Sequence, residues 1–168
     1  MSKSFFVYIL SFFVILLLQV AVLNNISIAG YATPLLYFYF ILKLPSSLSS
    51  SWVIILGFLC GLCVDVFCNT PGMHALAAGT AAFMRQPVLN LFIPREEAVS
   101  GVPSVYSLGA GIFLRYAGTM IVIHHVLVYS IESFSLFHPA ALMMKIVMSS
   151  VLTFMLILGI ESLNWKTR

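Results

Sequence analysis

Hydrophobic residues in this chain fall into six long runs, at 5–23, 28–44, 52–67, 73–93, 108–131 and 139–160, with short polar clusters between them. A helix needs about 20 apolar residues to cross the ~30 Å hydrocarbon layer of a bilayer, and most of these runs approach that length. The clusters between them carry stop signals. Asn24-Asn25 ends the first run, and Pro45 with the serine-rich stretch 46–51 ends the second. Asn69-Thr70-Pro71-Gly72 is a strong turn sequence, and Pro94-Arg95-Glu96-Glu97 opens a polar connector that reaches about Ser107. Pro34 lies in the first turns of the second run, where a missing N–H does least harm. The first run is 19 residues long, longer than the ~7–15 of a signal-peptide core, and is expected to be a retained span.

Composition turns this pattern into a class. Of the 168 residues, 61% are hydrophobic and 8% charged, against about 45–50% and about 25% in a soluble domain. Such a surface would not stay dissolved, so a soluble globular enzyme, a disordered tail and a nucleic-acid binder are excluded. The expected fold is all-α: one polytopic bundle of six transmembrane helices. The fourth run is the test case, because only 73–84 precedes Arg85 and that piece is too short to span. If it were a re-entrant half helix, five spans would leave Lys3, Lys43 and Lys145 inside and five positive residues outside. Six spans place Lys3, Lys43, Arg85, Arg95, Arg115, Lys166 and Arg168 toward the inside and Lys145 alone toward the outside. The positive-inside rule selects six, with both termini cytoplasmic and Arg85 snorkelling toward the inner interface.

Candidate chemistry then has to lie within the bundle, since the loops are short. Gly57, Gly61 and Asp65 recur at steps of four, and a Gly-x-x-x-Gly spacing lets another backbone approach closely. The fourth run opens with small residues, including Ala75 and Gly79. Gly57, Gly61, Ala75 and Gly79 therefore form the candidate helix-packing or partner face. In the fifth run Gly111, Arg115, Gly118, Val122, His125, Tyr129 and Glu132 share one helical stripe, with His124 pointing almost the opposite way. In the sixth, Lys145, Ser149 and Thr153 share a face. A lysine at that depth needs a counter-charge, and Asp65 and Glu132 are the acids at a similar level.

Asp65, His74, Arg115, His125, Glu132 and Lys145 are thus the candidates for a buried polar network or crevice. For Asp65 two roles stand equal, capping the turn at 69–72 or binding a ligand or partner. Arg95, Glu96 and Glu97 are the candidate contact for a cytoplasmic partner. Cys60, Cys63 and Cys68 read as small packing residues. No nucleophile with an aligned base and no metal or cofactor motif is present, so no catalytic, metal or cofactor site is expected.

Two stretches, Ala32-Thr33-Pro34-Leu35-Leu36-Tyr37-Phe38-Tyr39-Phe40-Ile41-Leu42-Lys43-Leu44-Pro45 and 57–75, carry a family likeness. Pro94-Arg95-Glu96-Glu97 and Ile123-His124-His125 with Glu132 follow in order. The chain resembles the rod shape-determining protein MreD family in its Bacteroidetes-type form, chiefly through Gly61, Asp65 and Gly72 leading into Ala75. The resemblance implies a non-enzymatic scaffold in the bacterial inner membrane, part of the cell-elongation complex that builds lateral peptidoglycan. Its implied partners are MreC, the wall glycosyltransferase and transpeptidase, indirectly the MreB filament, and membrane lipid; nucleic acid is not among them. The alternative is a small-molecule-binding component like the substrate-binding subunit of an energy-coupling-factor transporter, with Asp65, His74 and Glu132 lining an outward cavity. An intramembrane enzyme using Asp65 or His125 as acid or base is a third and weaker class.

Overall fold

The computed structural model describes residues 2–26, 32–93, 101–133 and 138–166, with side chains described between Leu10 and Leu163. The architecture is all-helical. Helix α1 spans Ser2–Ala21, followed by a single 3₁₀ turn at Leu23–Asn25; α2 is Phe38–Leu42 and α3 is Ser50–Cys68. Then come α4 at Met73–Phe92, α5 at Val105–Leu108, α6 at Ala110–Glu132 and α7 at Pro139–Lys166. Three of them, α3, α6 and the 139–163 part of α7, are long and apolar enough to cross a membrane. The fourth run forms one 20-residue helix straight through Arg85 and Pro87, so it is not a short half helix.

The distribution of burial is that of a protein in lipid. Leu17, Val66, Phe83, Leu91, Val147 and Met155 are exposed, while polar Gln19, Arg85, His124, His125 and Thr153 are buried. A water-soluble domain has the reverse. The chain belongs in a membrane.

The second apolar run departs from expectation. A continuous helix over 28–44 is corrected to a non-helical stretch from Ala32 to Leu36, a turn at Tyr37 and the five-residue α2. The reason lies in its backbone donors. Pro34 removes one N–H, and the donors of alternate residues find side chains on other helices instead of helical carbonyls. Thr33 N–H donates to Ser149 Oγ (3.1 Å), Leu35 N–H to Thr153 Oγ1 (3.0 Å) and Tyr37 N–H to Gln19 Oε1 (3.1 Å). Ser149 and Thr153 lie one turn apart on α7, a spacing that matches residues i and i+2 of an extended chain. Non-helical backbone is tolerated at membrane depth only when protein surrounds it. Tyr37, Phe38, Ile41 and Leu42 accordingly have no exposed surface.

Contacts along this segment give its direction. Thr33 meets Ser149 and Lys43 meets Glu161, twelve residues further along α7, a climb of about 18 Å. Phe12 packs on Phe40, and Gln19 binds the carbonyl of Pro34, so α1 runs antiparallel to the segment. The 32–44 chain is thus the axis of the bundle, with α1, α4, α6 and α7 around it. Its C-terminal carbonyls are also capped by side chains. Leu42 O accepts from Tyr116 Oη (3.5 Å), and Leu44 O accepts from Arg85 Nη2, which satisfies a buried helix end. Arg85 is therefore corrected from a snorkelling side chain to one 1% exposed.

Candidate functional site

Helices α3 and α4 meet through glycine. A methyl group added at Gly61 would lie 2.2 Å from the carbonyl oxygen of His74 and 2.6 Å from Cα of Ala75. One added at Gly57 would lie 2.7 Å from Ala82 Cβ and 3.0 Å from Ala78 O. These two glycines and Ala75 bring the two backbones into contact, and Gly79 faces Phe58 at ordinary distance. All four residues are buried in this internal seam. The face is filled by the chain's own α4, so the reading of it as a surface for another protein is corrected.

Asp65 sits where that seam ends. Its carboxylate accepts from the backbone N–H groups of His74 (3.1 Å) and Ala75 (2.8 Å) and from the hydroxyl of Thr70. Gly72 precedes α4 in the left-handed region at φ 82° and has no side chain with which to cap it. Asp65 supplies the cap from the neighbouring helix, placing a negative charge at the helix's positive end. Asn69, at φ 54°, makes the turn that brings Thr70 back to it. Of the two roles left open for Asp65, the geometry is that of a cap. A hollow of about 300 Å³ at this turn is lined by Leu62, Asp65, Val66 and the 69–72 turn; neither His74 nor Glu132 lines it.

The polar centre lies deeper. Tyr37, at the turn into α2, places its hydroxyl 3.1 Å from His74 Nδ1 and 2.8 Å from His124 Nε2. His124 stacks flat on Phe38, with ring centroids 4.2 Å apart and planes inclined at 9°. His125 points the other way, toward α7. Its Nδ1 faces the carbonyl of Ile121 (2.8 Å) and so carries the proton, leaving Nε2 to accept from Thr153 Oγ1 (3.1 Å). The two adjacent histidines thus serve different neighbours.

Further along α7, Ser149 bonds Tyr129 Oη (2.8 Å), and Lys145 pairs with Glu132 at 2.7 Å. Glu132, rather than Asp65, is the counter-charge of Lys145. At the opposite end Glu161 Oε1 accepts from Tyr39 Oη and Lys43 Nζ, both at 2.6 Å, and Oε2 accepts from Val105 N–H (3.3 Å).

The expected network is therefore split among several places. His74 and His125 are in the interior, Asp65 caps a helix, and Glu132 and Lys145 pair at the rim. Arg115 is exposed on α6 and joins none of them, which removes it from the network. The α6 stripe faces α7 only over its second half, through Gly118, His125, Tyr129 and Glu132. Arg95, Glu96 and Glu97 lie outside the described residues. Sequence reasoning missed Gln19, Tyr37, Arg85 and Glu161. A signal existed for two of them. Gln19 interrupts an otherwise apolar run, and Glu161 continues the four-residue spacing of Lys145, Ser149 and Thr153 through Ile157.

Among the described residues, no group of three or more His, Cys, Asp or Glu is placed to hold a metal ion. No family model matches the chain, and neither a curated protein nor a solved structure does.

Proposed function

We propose that the protein is a non-enzymatic, multi-pass scaffold of the bacterial inner membrane that serves the cell-elongation complex in lateral peptidoglycan synthesis, as its likeness to the MreD family implies. The observation that supports this reading is how the interior polar groups are used. Asp65, Gln19, Tyr39, Thr153 and Glu161 bond to backbone or to one another, and they hold helices in place. What the bundle offers outward is apolar side chain, for lipid and for the helices of other membrane proteins. MreC, the wall glycosyltransferase and the transpeptidase would meet the exposed faces of α1, α3 and α7, while Gly57 and Gly61 act inside. Both termini lie in the cytoplasm in this reading, as the distribution of positive residues requires.

The experiment is a pulldown of the tagged chain from membranes in mild detergent, with mass spectrometry of proteins and lipids in the same eluate. Recovery of MreC and the wall synthases is the expected result. Recovery of the chain alone with a stoichiometric small molecule would replace the scaffold with the transporter-type component. A reporter fused after Arg168 is expected to report from the cytoplasm.

A further inference from the structure

We propose that the end of the α6–α7 pair where α6 begins binds one anionic phospholipid, with the headgroup phosphate on Arg115 and an acyl chain in the gap between the two helices. Over its second half α6 packs along α7 in a steady antiparallel register. Glu132 meets Lys145, Tyr129 meets Ser149 and His125 meets Thr153. Continued toward the start of α6, that register sets Gly118 opposite Ile160 and Arg115 opposite Leu163. Those contacts are not made. Among the described residues, a methyl group added at Gly118 would meet only the tip of the Phe154 ring, at 3.7 Å, and one added at Gly111 would meet nothing within 4 Å. Arg115 is exposed, and Leu163 keeps 69% of its surface. The two helices therefore part toward this end, leaving a gap with apolar walls and a guanidinium at its mouth.

That guanidinium has no acid of its own. The three acids among the described residues are engaged elsewhere: Asp65 caps α4, Glu132 pairs with Lys145 and Glu161 with Lys43. Tyr116, next to Arg115, bonds Leu42 O, and Arg85 bonds Leu44 O, so Arg115 stands near the level of Lys43 and Arg85. Among the described residues, three cations at this end face the one carboxylate of Glu161. Arg85 is buried and Lys43 is paired, which leaves Arg115 as the charge open to an anion from outside the chain.

The depth fits a lipid headgroup. Arg115 lies five residues into α6, about 8 Å along its axis, and a long cationic side chain reaches back to the interface from there. Tyr106, 78% exposed just before α6, and Trp52, 58% exposed at the start of α3, are residues that favour that interface. A guanidinium matches a phosphate through paired N–H donors. A carboxylate on another protein's helix would itself have to be carried out of water to meet it, whereas a lipid phosphate is anchored at this level with its chains directed into the gap.

The test uses the full chain in detergent, incubated with phosphatidylglycerol or with phosphatidylcholine of the same acyl chains, and counts bound lipid by native mass spectrometry. The wild type is expected to retain one phosphatidylglycerol with a preference of about fivefold, the order expected for one arginine at an anionic headgroup. Arg115→Gln should abolish the preference at an unchanged melting temperature, and Arg115→Lys should keep part of it. Gly111→Leu should weaken retention with the charge intact, because its side chain enters the gap. Lys145→Met, at the other end of α7, should leave the preference as it is. The proposal is overturned if the wild type holds both lipids alike, or if Arg115→Gln keeps the preference. In the latter case, loss of a co-purifying membrane protein from that variant would make a partner's carboxylate the occupant. Retention untouched by Gly111→Leu would overturn the placement of the chain in the gap. Should a variant not fold, the wild-type comparison of the two lipids decides by itself.

Discussion

The α3–α4 contact and the seam between the 32–44 segment and α7 hold the same bundle by opposite means. The first is dry and close, with two glycines removing every atom between backbones and one carboxylate capping the end. The second is a ladder of hydrogen bonds: where the segment has given up its helix, the N–H groups of Thr33 and Leu35 donate to Ser149 and Thr153, and further along the side chains of Tyr39 and Lys43 donate to Glu161. Close packing has one correct shape, whereas a ladder loses its rungs singly. The first seam should therefore fail abruptly when an atom is added, and the second should weaken by degrees.

The largest effect is expected at Gly61. A methyl group there meets a backbone carbonyl at 2.2 Å, and backbone cannot turn aside as a side-chain tip can. Gly61→Ala should destabilise by about 3 kcal/mol or more, read as a lowered melting temperature and loss of the monodisperse peak in detergent. Gly79→Ala is the matched control. Its nearest neighbour would be Phe58 Cβ at 3.6 Å, and alanine's helix propensity favours the change by up to about 1 kcal/mol. If both variants melted alike, the closeness of α3 and α4 would not be what holds them.

Next comes the foot of the ladder. Glu161→Gln keeps the shape of the side chain but removes the charge that Lys43 and Tyr39 address. Losing one partner of a buried pair typically costs ~3–5 kcal/mol, and about 2 is expected here because Lys43 keeps 21% of its side chain exposed. Adding Lys43→Met should recover part of the loss, since no unpaired ammonium then remains. Thermal melts of the single and double variants check this, and strict additivity would count against the pair.

One rung higher, Thr153→Val preserves volume and leaves both Leu35 N–H and His125 Nε2 without a partner. About 1–3 kcal/mol should be lost, with faster amide exchange at Leu35, and Thr153→Ser should restore most of it.

The two seams also differ in how far the sequence discloses them. The α3–α4 contact is written locally. Glycines four apart in one helix and alanines massed in the next state that two backbones touch, and both helices appear close to their expected bounds. The ladder joins residues more than a hundred positions apart, such as Thr33 with Ser149 and Leu35 with Thr153. An apolar run containing Pro34 reads equally as a helix until the side chains that capture its donors are known. The same holds for Arg85: Pro45 announces the helix end that leaves Leu44 O in need of a donor, but nothing local says that Arg85, 41 residues further on, supplies it. His74 and His125 were recognisable as interior polar residues, whereas Tyr37, which binds two of the three buried histidines, was hidden in an aromatic run.

The smallest effect is expected beyond the ladder, where the start of α7 meets the end of α6. Lys145 and Glu132 form a good ion pair at 2.7 Å, but their side chains are 31% and 38% exposed, so neither gives up much of its surroundings to form it. Lys145 also lies 5.4 Å from the centre of the Tyr129 ring, a favourable cation–π placement that survives removal of the acid. Exposed pairs are worth ~0–1 kcal/mol, and Glu132→Gln should cost no more than about 0.5. Lys145→Met should cost slightly more, because it removes the ring contact along with the pair. Melting temperatures measured at low and high salt separate the two contributions, since the ion pair is screened and the side-chain packing on Tyr129 is much less so. A loss at Glu132→Gln as large as that at Glu161→Gln would mean that this end of α7 is as closed to its surroundings as the other, and the gradation along α7 would fail.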